Sequence, residues 1–218
     1  MSFLNFTTMK KGLTALLLLM LSIGGMAQKK TLSATLFREF KPSVITFADG
    51  HKLNQPLTNV FLKNASLLFL RGDYTMEANM ENILSVEFPD RKFVTIDKQL
   101  ACFVDSVGGN SLYCIELFDQ ETYERNLRNN INISNIELGD QISTTTVDIN
   151  TEDDYKLPVF RHYYMCLKGQ FVKVHERNLG RVLSKEQRTM MKRVMAMPDF
   201  SWQREESLMQ LLRAITEN

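Results

Sequence analysis

The rhythm of its turns is what most constrains this chain. Asp49-Gly50, Lys63-Asn64-Ala65-Ser66, Arg71-Gly72-Asp73, Pro89-Asp90, Gly108-Gly109 and Lys168-Gly169 punctuate short runs rich in β-branched and aromatic residues. Glycine or asparagine at such points supplies the positive φ that a tight hairpin needs. Ser43 to Phe47, Val60 to Leu62, Leu67 to Leu70 and Phe93 to Ile96 read as strands. Leu84-Ser85-Val86-Glu87-Phe88 alternates apolar and polar, which predicts one buried face and one wet face. Strands this short and closely spaced predict a small antiparallel barrel or roll over residues 28–97, closed to protect its edges.

Residues 98–182 continue this pattern as an antiparallel extension with one short helix. Leu100 to Val104 and Tyr113 to Leu117 flank the Gly-Gly turn, and Asp119 is placed to cap a helix from Gln120 to Asn129. Ile131 to Ile136, Ile142 to Ile149, Val159 to Leu167 and Phe171 to Val174 then read as strands. The chemistry changes at residue 183. Ser184-Lys185-Glu186-Gln187 matches a capping box, and Pro198 ends the helix that it opens. Asp199 or Ser201 can cap a second helix, in which Leu208, Leu211, Leu212 and Ile215 form one apolar stripe. The expected fold class is therefore α+β, mostly β, with roll-like antiparallel strands followed by a C-terminal helical hairpin over 183–218 that packs on the body. Five methionines lie in that tail, where their default role is core packing.

The first 27 residues have the layout of a secretory signal. Lys10 and Lys11 form a basic start, Leu13 to Ile23 an apolar run, and Gly25-Met26-Ala27 a small-residue cleavage site before Gln28. That run of 11 residues is too short for a membrane span, which needs about 20. Met9-Lys10-Lys11 is itself a natural signal start, which leaves open whether the true start is Met1 or Met9, with Met1 to Thr8 then an extension. The rest of the chain contains no predicted transmembrane span. Export to a periplasm or to the outside is the expectation, and it places the cysteines in an oxidising compartment.

Three cysteines are too few for a disulfide scaffold. A two-residue turn at Gly108-Gly109 pairs Val104 with Tyr113 and Cys102 with Ile115, leaving Cys102 and Cys114 on opposite faces. A five-residue loop from Ser106 to Asn110 would instead set Cys102 against Cys114. The first register gives one clean apolar face and predicts buried free thiols. His162 and Cys166 share a strand face but lie roughly 13 Å apart along it, too far to form a Cys–His nucleophile. His51 follows a turn and is expected to be exposed.

Oxygen ligands crowd into Asp148, Asn150, Glu152 and Asp154, as at the start of a calcium loop. That loop would need glycine at Asp153 and glutamate at Val159, so a solvated acidic loop is the expectation and no cofactor is called for. Arg71-Gly72-Asp73 is the tripeptide of adhesion loops and also ordinary turn chemistry. No phosphate-binding glycine loop, nucleophile elbow or metalloprotease motif is present, so no catalytic residue is assigned. Overall charge recruits nothing, with 26 Lys+Arg against 25 Asp+Glu. Locally the balance differs. Arg161, Lys168, Lys173, Arg177, Arg181, Lys185, Arg188, Lys192 and Arg193 are opposed between residues 160 and 193 only by Glu176 and Glu186. Arg188, Lys192 and Arg193 on the predicted helix are the candidate partner-binding residues. The helix pair could resemble a DNA reader on paper, but export argues against a nucleic-acid partner.

Asn59-Val60-Phe61-Leu62-Lys63-Asn64, Met76-Glu77-Ala78-Asn79-Met80 and Ile83 to Phe88, with the signal ending Ala27-Gln28, resemble exported bacterial proteins of no assigned function. The resemblance covers the first half of the mature chain. It implies export and a β-rich body and carries no catalytic residue across. The sequence thus predicts a non-catalytic binding or assembly module of a bacterial envelope, facing a protein or anionic partner. The alternatives are an envelope hydrolase with dispersed carboxylates and an adhesion protein.

Overall fold

The computed structural model describes residues 34–130 and 157–217. The signal segment, the two predicted strands between 131 and 149, and the acidic loop with Asp148, Asn150, Glu152 and Asp154 lie outside the described residues. The ten described strands form one antiparallel sheet. They are β1 (Lys41–Phe47), β2 (Lys52–Phe61), β3 (Ser66–Arg71), β4 (Tyr74–Glu77), β5 (Ile83–Glu87), β6 (Lys92–Ile96), β7 (Gln99–Val107), β8 (Asn110–Phe118), β9 (Val159–Leu167) and β10 (Gln170–Lys173). Their order across the sheet is β10-β9-β8-β7-β6-β5-β1-β2-β3-β4. Among the described residues four α-helices accompany them, α1 (Gln120–Asn130), α2 (Glu176–Val182), α3 (Lys185–Met195) and α4 (Glu205–Thr216), with one short 3-10 turn at Met80–Asn82. The protein is α+β and mostly β, with its helices concentrated at the C-terminus.

The turns form where the sequence places them. Gly50, Gly72, Gly108, Gly109 and Gly169 all take positive φ. Ala65, Asp97, Lys98 and Lys168 do so as well, and there each side chain must tolerate a left-handed backbone. The sheet then curls. Leu100 N–H donates to the Ala65 carbonyl at 2.7 Å, and Phe118 N–H donates to the Leu62 carbonyl at 2.8 Å. The β2–β3 turn is thereby wedged between the start of β7 and the end of β8, which closes strands β1–β7 into a small roll. Phe37, Ile45, Val60, Leu67, Val86, Phe93 and Leu100 fill it. Asn59 ties the entering chain to the roll: its buried side chain accepts from Phe37 N–H at 3.0 Å and donates to the Phe37 carbonyl at 2.9 Å.

Beyond the roll, one face of β8–β10 carries Leu112, Cys114, Tyr163, Met165 and Val172. The helices cover it with Leu179, Met191, Val194 and the stripe Leu208, Leu211, Leu212, Ile215, all buried. Asn110 pins α4 to the sheet, donating to the Thr216 hydroxyl at 3.0 Å and accepting from Lys168 N–H at 3.0 Å. The opposite face of the sheet presents an aromatic row across β7–β10. Phe103, Tyr113 and Phe171 meet edge to face at 5.8 and 5.5 Å, and Phe103, Phe160 and Phe171 are exposed.

Four local expectations change. First, the Gly108-Gly109 turn forms with Val107 opposite Asn110, but a bulge at Val104 shifts the register beyond it. Phe103 therefore pairs with Tyr113 and Cys102 with Cys114, so the two cysteines share a face. Second, a bulge at Leu84 in the pairing with β1 turns this residue outward, leaving Ile83 and Val86 buried. Third, helix begins at Glu176 rather than after Leu183. His175 Nδ1 accepts from Arg177 N–H at 3.2 Å, an unusual cap, and Gly180 weakens the helical signal in sequence. Fourth, Arg204 occupies the N-cap of α4 without a side-chain cap bond, because Ser201 holds the preceding turn by accepting from Gln203 N–H.

Candidate functional site

The helical layer places its cations by anchoring its apolar residues. Leu179 in α2 and Met191 and Val194 in α3 are buried against β8–β10. The link between the helices is short, and the capping box closes as predicted. Gln187 N–H donates to Ser184 Oγ at 3.2 Å, and Ser184 N–H donates to Gln187 Oε1 at 3.0 Å. The two helices therefore meet over a groove of about 450 Å³. It is lined by His175, Glu176, Arg177, Gly180, Arg181, Arg188, Met191 and Lys192. Arg177 and Arg181 stand one turn apart on α2, as do Arg188 and Lys192 on α3, and one turn of four residues advances about 6 Å. Two short ladders of positive charge thus border one groove.

Among the described residues, none of these four cations forms an ion pair with another described residue. Glu176 is the single carboxylate in the lining. The nearby Glu186 is held mainly by other groups, with a smaller contribution from the Arg188 charge. Its own backbone N–H, and then the Ser184 hydroxyl at 2.8 Å, hold its carboxyl below the usual carboxylate range. Trp202 stacks on His175 with ring centroids 6.4 Å apart, and Phe200 meets Trp202 edge-on at 4.9 Å. The groove so has an aromatic flank beside its cations. Its lining contains no hydroxyl or thiol, so the arrangement can attract and hold an anion but presents no nucleophile of those kinds.

The structure brings Arg188 and Lys192 into the groove; Arg193 is exposed on the same helix but is not part of the lining. Sequence reasoning did not single out Arg177 and Arg181 as site residues. Their i,i+4 spacing becomes a signal only once residues 176–182 are known to be helical. The other predicted cations scatter. Arg161 pairs with Glu116 at 3.0 Å, which also holds Arg91 at 3.7 Å. Lys168 sits in the β9–β10 turn, and Lys173 lies close enough to His162 to affect its charge.

The histidines have separate surroundings. His51 is exposed, stacked on Phe47 at 4.4 Å and 3.3 Å from Asp49. Burial, and then the Lys173 charge, lower the His162 pKa. His175 caps α2. Among the described residues, no three His, Cys, Asp or Glu side chains are grouped so as to hold a metal ion. Arg71-Gly72-Asp73 is the exposed β3–β4 turn. A second cleft, of about 550 Å³, lies where the β5–β6 turn meets the bulged part of β7. It is lined by Phe88, Pro89, Asp90, Arg91, Lys92, Phe103 and Val104. Among the described residues, no helix is long and apolar enough to cross a membrane.

No protein-family model matches the chain, and no curated protein or solved structure does so either.

Proposed function

We propose that this protein is an exported bacterial envelope protein that acts by holding an anionic partner in the groove between α2 and α3, without turning it over. The observation that carries this reading is the convergence of Arg177, Arg181, Arg188 and Lys192 on one groove with no ion pair to another described residue. Cations outside close ion pairs retain most of their field for a ligand, and a groove focuses that field. Export rests on the signal pattern of residues 1–27. Binding rather than catalysis is supported by the lining, which offers cations, one histidine engaged in capping and one carboxylate.

The test compares the wild type with Arg181→Glu/Arg188→Glu/Lys192→Glu in capture from envelope extract. A second triple variant, Lys52→Glu/Lys63→Glu/Lys98→Glu, controls for total charge. The expected result is a partner that elutes with salt from the wild type and from the control but is lost from the groove variant. A partner set unchanged in the groove variant overturns the reading. Mass spectrometry of protein recovered from the envelope tests export separately, because the mature N-terminus should be Gln28 and an intact Met1 or Met9 would refute cleavage.

A further inference from the structure

The bulge at Val104 has a chemical consequence. It sets Cys102 of β7 directly opposite Cys114 of β8. Opposed residues of an antiparallel pair point to the same face with Cα atoms about 4.5–5.5 Å apart, inside the roughly 4.4–6.8 Å span that a disulfide bridges. Cys166 is excluded from this geometry, because its partner across β8 is Ser111 and it lies on the other face of the sheet. The two opposed thiols also belong to different cores. Cys102 packs against the residues that fill the roll, and Cys114 is part of the core beneath the helices. We propose that Cys102 and Cys114 form a disulfide that staples the roll to the helix-covered part of the sheet, with Cys166 remaining a free thiol.

The bond forms by thiol–disulfide exchange with a disulfide-bearing oxidant. The Cys102 thiolate attacks one sulfur of the oxidant, releasing one thiolate and leaving a mixed disulfide on Cys102. The Cys114 thiolate then attacks the Cys102 sulfur and the second oxidant thiolate leaves. The protein loses two hydrogens, and the oxidant, gaining two electrons and two protons, ends as two thiols. Burial raises both thiols, Cys102 to about 11 and Cys114 to about 12. Thiolate is therefore scarce in the folded sheet at neutral pH, and the exchange belongs to the stage at which β7 and β8 are still pairing. Occurrence of the bond in the cell rests on the proposed export; its chemistry does not, and neither depends on the groove.

The experiment refolds the purified, reduced full chain in a glutathione redox buffer, alkylates the remaining thiols and maps the peptides without reduction. The expected product is about 2 Da lighter than the reduced chain before alkylation, with Cys102 linked to Cys114 and Cys166 alkylated. Its melting temperature should exceed that of the dithiothreitol-treated protein by roughly 5 °C. Cys166→Ser should preserve both the link and the shift, and Cys102→Ser should abolish them. Alkylation of both Cys102 and Cys114 after oxidative refolding to native circular dichroism overturns the proposal, as does a link that includes Cys166. Either failure leaves envelope capture by the groove unaffected, so the two readings fall separately.

Discussion

The two halves of this sheet solve one problem in different ways. Every strand with an apolar face must cover that face. The N-terminal half does so by bending, with β1–β7 curling until the β2–β3 turn bonds to β7 and β8 and sheet packs against sheet around Leu67, Val86 and Leu100. The C-terminal half stays open and borrows its cover from α2–α4, whose leucines lie on Leu112 and Met165. Strand β7 serves both halves. Its Leu100 faces the roll and its Val104 and Val107 pack toward the helices, with the bulge at the changeover. The alternation of a strand dictates only which residues must be hidden. What hides them depends on what the rest of the chain can deliver. A layer of short helices also leaves a seam between them, and the cationic groove lies in the seam between α2 and α3.

The largest expected effect tests whether the halves are independent. Leu67→Ala in the roll and Leu211→Ala under the helices should each cost about 2–5 kcal/mol in urea unfolding. Because β7 is shared, both variants should shift one transition seen alike by far-ultraviolet circular dichroism and by fluorescence of Trp202, the single tryptophan. Two separated transitions, with Leu211→Ala moving only the Trp202 signal, would break the picture of one cooperative sheet.

Next in size is Asn59→Ala. It leaves the Phe37 N–H without its buried acceptor and the Phe37 carbonyl with only the Thr35 hydroxyl as a side-chain donor, and it should cost about 1–3 kcal/mol by the same measurement. A loss well below that range would show that the entering segment contributes little to the roll.

On the helical side, Gly108→Ala would place a Cβ 2.5 Å from Thr216 Cγ2, at a φ of +54° that disfavours any side chain. A cost of about 1–2 kcal/mol is expected. Thr216→Ser removes that methyl while keeping the hydroxyl that Asn110 reaches, so it should recover part of the loss in the double variant. Strict additivity would mean that the β7–β8 hairpin and α4 do not bear on each other.

The smallest effect sits where the halves meet. Glu116 joins Arg91, from the β5–β6 turn, to Arg161 of β9. Glu116→Gln should cost no more than about 1 kcal/mol and should matter less as salt is raised. A larger or salt-independent loss would mark this cluster as a true clasp between the halves.

Most of what the sequence foretold is short-range. The turn dipeptides, the Asp119 cap with its bond from Thr122 N–H, the capping box at Ser184 and the leucine stripe of α4 all form where they were read. Each depends on residues within one or two turns of chain. The candidate site was only half legible. Arg188 and Lys192 sit on a helix with a clear start signal, whereas Arg177 and Arg181 sit on one whose cap is a histidine and whose interior holds a glycine.

From the amino-acid sequence alone come most of the turns, the cores of most described strands and the apolar face of the last helix, because sterics, capping and periodicity act locally, whereas β4 and the first part of β2, polar and exposed, carry no such signal. Only the tertiary structure decided the rest. The bulges at Leu84 and Val104 lie in strands that pair on both sides, and nothing within either strand announces them. Those bulges turn Leu84 outward and set Cys102 against Cys114, and β7 changes cores at the second. The groove is decided in the same way: its cations are spaced by helices, but they face one another only because buried leucines, methionines and valines hold those helices against a sheet built from distant parts of the chain.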